Sequence, residues 1–292
     1  MKIALHARNF KPEIKPYIAQ LLSELKERGA ELLLSHSFID FITPLGLLPS
    51  EYTGYQNHTD IGEPDFLMSF GGDGTLLECV TQVGDKQTPI LGVNTGRLGF
   101  LANTSPNELQ DTLDRLYQGY YTFDDRMLIS VVSDQDIFEG LNFGLNEFTI
   151  TKRDTSSMII INTYLNGEYL NSYWADGLIV STPTGSTGYS LSCGGPVVSP
   201  QSNLFVIAPI SPHNLNVRPL IVSDDSVISF SIEGRSKNFM ASLDSRSKVI
   251  DASVQIAVRK EKFKARLIKM REHNFLNTLR QKLNWGLDAR NY

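Results

Sequence analysis

Gly71-Gly72-Asp73-Gly74-Thr75 is the stretch whose reading decides the fold. It follows a short apolar run, Phe66-Leu67-Met68-Ser69-Phe70, and leads into Leu76-Leu77-Glu78-Cys79-Val80. The first run has the length of a buried strand, and the second has the apolar spacing of a helix start. Strand, glycine turn and helix start together aim free main-chain N–H groups and a positive helix end at an anion, usually phosphate. Glycines at 71, 72 and 74 let the main chain approach a ligand with no Cβ in the way.

Asp73 narrows the chemistry. A carboxylate beside a phosphate is repelled by about 4 kcal/mol at ~4 Å with an effective dielectric near ~20, so a loop that only held phosphate would do better with Asn or Ser. Two readings follow. Asp73 takes a proton from an attacking hydroxyl or holds a metal, which points to phosphoryl transfer. Alternatively, it caps the next helix in an ordinary tight turn. The stretch is not a P-loop, because no Lys-Ser/Thr closes it.

Toward the N-terminus, Lys2 to Arg8 reads as a strand. Residues 12–28 place Ile14, Tyr17, Ile18, Leu21, Leu22 and Leu25 on one helical stripe, with Gly29 placed to end it. Glu31 to Ser35 is a second strand, and strand–helix–strand at this length predicts a right-handed parallel crossover. Residues 43–64 hold Pro44, Gly46, Pro49, Gly54, Gly62 and Pro64 with no clear period. They are expected to form a long loop, either a functional lid or a passive excursion. Downstream, Pro89 to Asn94 reads as another buried strand opening into Thr95-Gly96-Arg97-Leu98-Gly99-Phe100-Leu101. Ligands gather at the carboxyl ends of strands in open α/β sheets, so this second glycine turn belongs beside the first. Residues 106–118 form an amphipathic helix through Leu109, Leu113 and Leu116.

From residue 123 the pattern changes. Met127 to Val132, Phe143 to Thr151, Met158 to Leu165, Tyr169 to Tyr173, Leu178 to Ser181, Val227 to Ile232 and Val254 to Val258 are strand-like. Asn166-Gly167 is a hairpin signal. Helical spacing returns at Phe275, Leu276, Leu279 and Leu283, with Gly286 as a stop. The expected organisation is an α/β domain with an open, mostly parallel sheet over 1–122, carrying the first glycine turn. An all-β, antiparallel, two-sheet domain follows over 123–262, then a helical tail over 263–292 that packs back on the first domain.

Composition sets bounds. Hydrophobic content of 41% and charged content of 20% are those of a soluble globular chain, and no apolar run reaches the ~20 residues of a membrane span. The N-terminus turns polar too soon for a signal peptide, and Cys79 and Cys193 suggest neither a disulfide framework nor a metal cluster. A cytoplasmic protein with no membrane partner is expected. The net charge of −5 argues against bulk nucleic-acid binding, and it would not attract a phosphate-rich substrate unless a divalent cation helped to neutralise it.

Two further stretches carry polar chemistry. Asp176 to Pro196, DGLIVSTPTGSTGYSLSCGGP, is dense in hydroxyls and glycines. It suits a phosphodiester and ribose, or supplies turn chemistry in a β-rich segment. Asn146-Glu147 lies in an alternating run, where neighbours face opposite sides. Both could touch one ligand only if the strand ends or bulges there; otherwise they are solvated surface.

Together these pieces resemble the NAD kinases in order and spacing: GGDGT at 71–75, LGVNTGRLGFL at 91–101, NE at 146–147, the run at 176–196, and PHNLNVRPL at 212–220. The TPTGST-x-YSLS-x-GGP run is highly specific. GGDG alone is shared with 6-phosphofructokinases and the diacylglycerol and sphingosine kinases. The resemblance implies phosphorylation of the 2′-hydroxyl of the adenosine ribose of NAD to give NADP, with ATP and magnesium. It implies Asp73 as general base, with Gly72 and Gly74 beside it at the nucleotide, and Phe100 against the adenine. Asn146 and Glu147 would bind the adenosine half and Asp176 the nicotinamide side. Thr187, Gly188, Tyr189 and Ser192 would line the dinucleotide, with Thr184 near the nicotinamide.

Three positions depart from the family pattern. Gly188 stands where Ala is common, Trp174 where some members carry Arg, and Arg246 where others have Gln; Arg246 is expected to reach the substrate, or to be a plain surface arginine. The family also implies a homodimer or homotetramer, and leaves ATP or polyphosphate as donor. Two rival functions remain at this point: a lipid or sugar kinase sharing only GGDG, and a non-catalytic dinucleotide sensor.

Overall fold

A computed structural model describes residues 1–8, 12–96, 99–153, 157–235, 237–270 and 274–285. The chain forms two compact units: Met1–Asp125 with Ala265–Tyr292, and Arg126–Lys264.

In the first unit, β1 (Lys2–Ala7), α1 (Lys15–Glu27), β2 (Glu31–Ser35), α2 (His36–Ile42), β3 (Thr53–Tyr55), β4 (Phe66–Gly71), α3 (Asp73–Val83), β5 (Ile90–Asn94) and α4 (Leu109–Gln118) follow in order. The strands line up β5-β4-β1-β2-β3 and are parallel, with Leu5 opposite Met68 and Ile3 opposite Leu32. Every residue of β4 and β5 is buried, as expected of strands covered on both faces. Ile18, Leu21, Leu22 and Leu25 are the buried stripe of α1. Gly29, at φ 66°, ends that helix: its N–H bonds to Lys26 O, and Ala30 N–H bonds back to Leu25 O.

The segment expected as a loop over 43–64 is partly built into the sheet. Residues 53–55 pair with β2, and Tyr55 is fully buried with its hydroxyl 3.2 Å from Gln82 Oε1. A three-residue strand is too short to show a period, which is why its sequence reads as loop. Ser35 closes β2 and at once caps α2, accepting the Phe38 N–H at 3.2 Å.

In the second unit the order is β6 (Thr122–Ser133), β7 (Phe143–Gly144), β8 (Glu147–Lys152), β9 (Ile159–Leu165), β10 (Glu168–Ala175), β11 (Gly177–Ser181), the short α5 (Tyr189–Ser192), β12 (Leu204–Ile210), β13 (Leu220–Ser223), β14 (Ile228–Glu233), β15 (Asn238–Leu243), β16 (Arg246–Asp251) and β17 (Ile256–Lys269); β6 enters it and β17 leaves it. One antiparallel sheet runs β13-β12-β11-β8-β15-β16; the other joins β10, β9, β14 and β17. Their inner faces share one core, in which Phe148 of the first sheet and Phe230 of the second have ring centroids 6.1 Å apart. Asn166 and Gly167, at φ 53° and 84°, close the β9–β10 hairpin.

After β17 the chain rejoins the first unit, where Leu267 pairs with Ile90. The C-terminal helix α6 (Phe275–Leu283) packs back through Thr278 and Leu279, with Lys282 Nζ 5.7 Å from the centre of the Phe100 ring. Asn274 caps it by accepting the Asn277 N–H. Leu276, expected on the apolar stripe, is 61% exposed, and Gly286 lies outside the described residues.

Candidate functional site

In the first unit the two glycine turns lie together. Thr95 N–H bonds to Gly71 O at 3.3 Å, stitching the ends of β5 and β4. A Cβ on Gly71 would sit 2.2 Å from Thr75 Oγ1, so only glycine fits there, whereas Cβ atoms on Gly72 and Gly74 would meet nothing within 4 Å. The main chain at those two residues is therefore open to an incoming group.

Asp73 does something neither sequence reading anticipated. It does not cap α3, whose N-cap is Gly72 with no side chain to offer. Its Oδ2 accepts the Phe100 N–H at 2.8 Å, and its Oδ1 accepts Leu101 N–H at 3.0 Å and Ala102 N–H at 3.1 Å. The first turn thus holds the second through one carboxylate. Arg97 and Leu98 of the second turn lie outside the described residues.

Beneath the strand ends is a polar cluster that the sequence did not reveal. Buried His6 on β1 has Nδ1 3.0 Å from both Ser35 Oγ and Gln82 Nε2, and Nε2 3.2 Å from Glu78 Oε2; Glu78 also pairs with Arg8 at 2.5 Å. Glu78 and Gln82 are four apart on α3 and face the sheet, spacing that was readable only once the partner strand was known.

In the second unit the strand does break at Asn146: β7 stops at Gly144 and β8 starts at Glu147. Thr182 anchors the break, its hydroxyl donating to Leu145 O at 2.6 Å and its N–H to Asn146 O at 2.8 Å. Asn146 Oδ1 and Glu147 Oε2 are both buried with no hydrogen-bond partner among the described residues. Burial pushes the Glu147 carboxyl up to about 8, and the nearby charge of Asp244 adds to the shift. The 184–188 turn wraps this pair. A Cβ on Gly185 would lie 2.2 Å from Asn146 O, and one on Gly188 would lie 3.3 Å from Glu147 Oε2 and 3.8 Å from Asn146 Nδ2.

The other expected residues divide. Thr187 is part-buried and its hydroxyl donates back to Thr184 O at 3.4 Å, whereas Tyr189 is 43% exposed and Ser192 is exposed. Thr184 is buried, and its hydroxyl accepts from Arg126 Nη1 at 3.2 Å. Asp176 forms an ion pair with Lys152 at 2.6 Å, a partner that sequence reasoning missed. Arg246 donates to the carbonyls of Leu141 and Phe143 and lies over the Phe138 ring. Burial pulls its guanidinium below the usual arginine value.

Residues 51–121 match the N-terminal domain of the ATP-NAD kinases and residues 145–270 match their C-terminal domain. Over 292 residues, all of both chains, the sequence is 54% identical to the NAD kinase of Cytophaga hutchinsonii. The chain belongs to the ATP-NAD kinase family. Two solved structures agree with the fold. An NAD kinase from Archaeoglobus fulgidus in complex with ATP superposes with a TM-score of 0.77 at 26% identity, covering 97% of this chain and 99% of that one. Yeast NADH kinase complexed with NADH gives 0.86 over 99% and 89%; at 23% identity this likeness speaks to the fold alone.

Proposed function

We propose that this ATP-NAD kinase family member is an NAD kinase that transfers the γ-phosphoryl group of ATP to the 2′-hydroxyl of the adenosine ribose of NAD, giving NADP. The observation that carries the reading is the broken strand at Asn146-Glu147. Two buried side-chain oxygens stand there without partners among the described residues, wrapped by the 184–188 turn, whose Gly188 brings no side chain against Glu147 Oε2. Buried polar atoms are nearly always satisfied, and an orphaned pair calls for a ligand with hydroxyls or amines that can bond to the Asn146 oxygen and to the Glu147 carboxyl.

In the reaction the ribose O2′ forms a bond to the γ-phosphorus as the bond to the β,γ-bridging oxygen breaks, and ADP leaves. We assign the O2′ proton to the Asp73 carboxylate. A ribose hydroxyl is too weak an acid to ionise at neutral pH, so a base that accepts its proton during attack lowers the barrier. A carboxylate has about four acceptor positions, and main-chain N–H groups fill three of those on Asp73. The remaining position is the one left for the hydroxyl. The three N–H bonds fix its direction, and positioning contributes the larger part of such catalysis. Gly72 and Gly74 leave the main chain open to the triphosphate, and Phe100 lies at the adenine.

Asn146 and Glu147 hold the adenosine half, and Thr187, Gly188, Tyr189 and Ser192 line the rest of the dinucleotide. Asp176 and Thr184 belong to the nicotinamide side, where Lys152 tempers the Asp176 charge. Arg246 holds the main chain of residues 141 and 143, just upstream of the Asn146-Glu147 pair. Magnesium is part of the triphosphate substrate; it keeps phosphate oxygens and waters as ligands and neutralises charge on the transferred group. A cytoplasmic homo-oligomer with its phosphate-handling residues in 1–122 and its dinucleotide residues in 123–262 completes the proposal.

The test is direct. Purified protein is incubated with magnesium, ATP or polyphosphate, and NAD or NADH, and NADP(H) is read with a specific dehydrogenase. Absence of product with every donor and acceptor pair overturns the assignment.

A further inference from the structure

The Asn146-Glu147 break is shaped by a residue more than ninety positions away in sequence. Asp244 opens the two-residue turn between β15 and β16, closed by the Leu243–Arg246 pair, with its backbone at φ 52°. That left-handed conformation is one Asp and Asn tolerate better than other non-glycine residues. Its carboxylate accepts three consecutive main-chain N–H groups: Leu145 at 2.7 Å on Oδ2, then Asn146 at 2.8 Å and Glu147 at 3.1 Å on Oδ1. Its own N–H returns a bond to Glu147 O at 3.0 Å. Three successive N–H groups converging on one oxygen pair cannot belong to a regular strand, where they alternate sides. Asp244 therefore holds the chain out of strand geometry at these residues.

Two neighbours strengthen the hold. Arg246, two residues on, clasps the carbonyls of Leu141 and Phe143 just upstream of the break. A Cβ on Gly144 would sit 3.0 Å from either Asp244 oxygen, so the chain must be bare there for the carboxylate to reach. The same device appears in the other unit, where Asp73 collects the N–H groups of residues 100–102.

We propose that Asp244 is a positioning residue for dinucleotide binding, which turns the Asn146 and Glu147 side chains together toward one ligand without touching it. This rests on the reading of Asn146-Glu147 given above. A carboxylate is required because the task is to accept three donors at once. An asparagine keeps one acceptor oxygen and turns an NH2 group against the remaining N–H.

The test measures initial rates with NAD and ATP for wild type, Asp244→Asn, Asn146→Ala and the double variant. Asp244→Asn is expected to raise KM for NAD by about tenfold while KM for ATP moves less than about twofold, the size expected from one charged hydrogen-bonding group mispaired. In the Asn146→Ala background the same change should cost clearly less than it does in wild type, since part of its effect passes through a side chain already removed. An unchanged KM for NAD in Asp244→Asn, or losses that simply multiply in the double variant, overturns the inference while leaving the kinase reading intact. A wild type that makes no NADP removes both. Should Asp244→Asn fail to fold, Asp244→Gly fits the same φ without a carboxylate and is read the same way.

Discussion

A side chain on Gly99 and the carboxylate of Asp73 cannot occupy their positions together: an ideal Cβ on Gly99 would lie 2.0 Å from Asp73 Oδ1. The need at Gly99 is for space, created by the carboxylate that collects the next three N–H groups. Gly99→Ala should therefore act on Asp73. We expect kcat to fall at least about tenfold, because a displacement of about 1 Å at a reacting group costs that much or more. Rates near wild type in Gly99→Ala would mean that Asp73 does not need its present position.

Asp73→Asn is the obvious probe of the proposed base, and it will report two effects. The amide oxygen can keep the Leu101 and Ala102 N–H groups that now share Oδ1, but its NH2 would then oppose the Phe100 N–H. One buried mismatch of this kind costs about 1–3 kcal/mol, so the thermal midpoint should drop by several degrees. The base role shows separately: turnover should nearly vanish while NAD still binds by calorimetry. Substantial turnover in a folded Asp73→Asn protein would reassign Asp73 to holding the second turn and nothing more.

What the sequence made legible was what short-range pattern encodes. Phe66 to Leu77 reads as strand, turn and helix because every needed signal lies within a dozen positions, and Asn166-Gly167 announces its hairpin. The illegible parts share long range or short length. Asp73 reaches residues 100–102, Asp244 reaches 145–147, and Lys152 reaches Asp176; nothing local marks these as partners. The strand Leu204–Ile210 contains Pro209, a residue disfavoured in central strands. The pairing with β13 covers only Leu204 to Ile207, so at Pro209 the strand has a neighbour only on the β11 side, and the missing N–H costs little. The pair Asn146-Glu147 was legible as residues, yet the break that gives them a common direction is made elsewhere in the chain.

Gly188 tests how tightly the turn closes on that pair. At its φ of −95°, a Cβ on this residue would meet Gly185 O at 3.2 Å and Glu147 Oε2 at 3.3 Å. The glutamate oxygen has no partner to lose by moving, and the carbonyl need shift only by tenths of an ångström. Gly188→Ala should cost less than about 1.5 kcal/mol and leave KM for NAD within about threefold. A larger loss in either measurement would show that the Gly185 carbonyl cannot yield.

Glu147 makes stability depend on pH, and the sign can be worked out. Its carboxyl titrates near its ordinary value when unfolded and at about 8 when folded, because burial and then the Asp244 charge disfavour ionisation. Below the unfolded value the group is neutral in both states. Between the two values the unfolded chain gives up the proton and the folded chain keeps it, so stability falls as pH rises and levels off above the folded value. At full extent the loss is on the order of a few kcal/mol. Glu147→Gln keeps the shape and removes the titration. Its thermal midpoint should match wild type near pH 5 and exceed it by a widening margin toward pH 8, measured without substrate. Parallel midpoint curves for the two proteins would mean that the carboxyl ionises freely in the fold, and that the side chain meets water rather than the enclosed turn around Gly188.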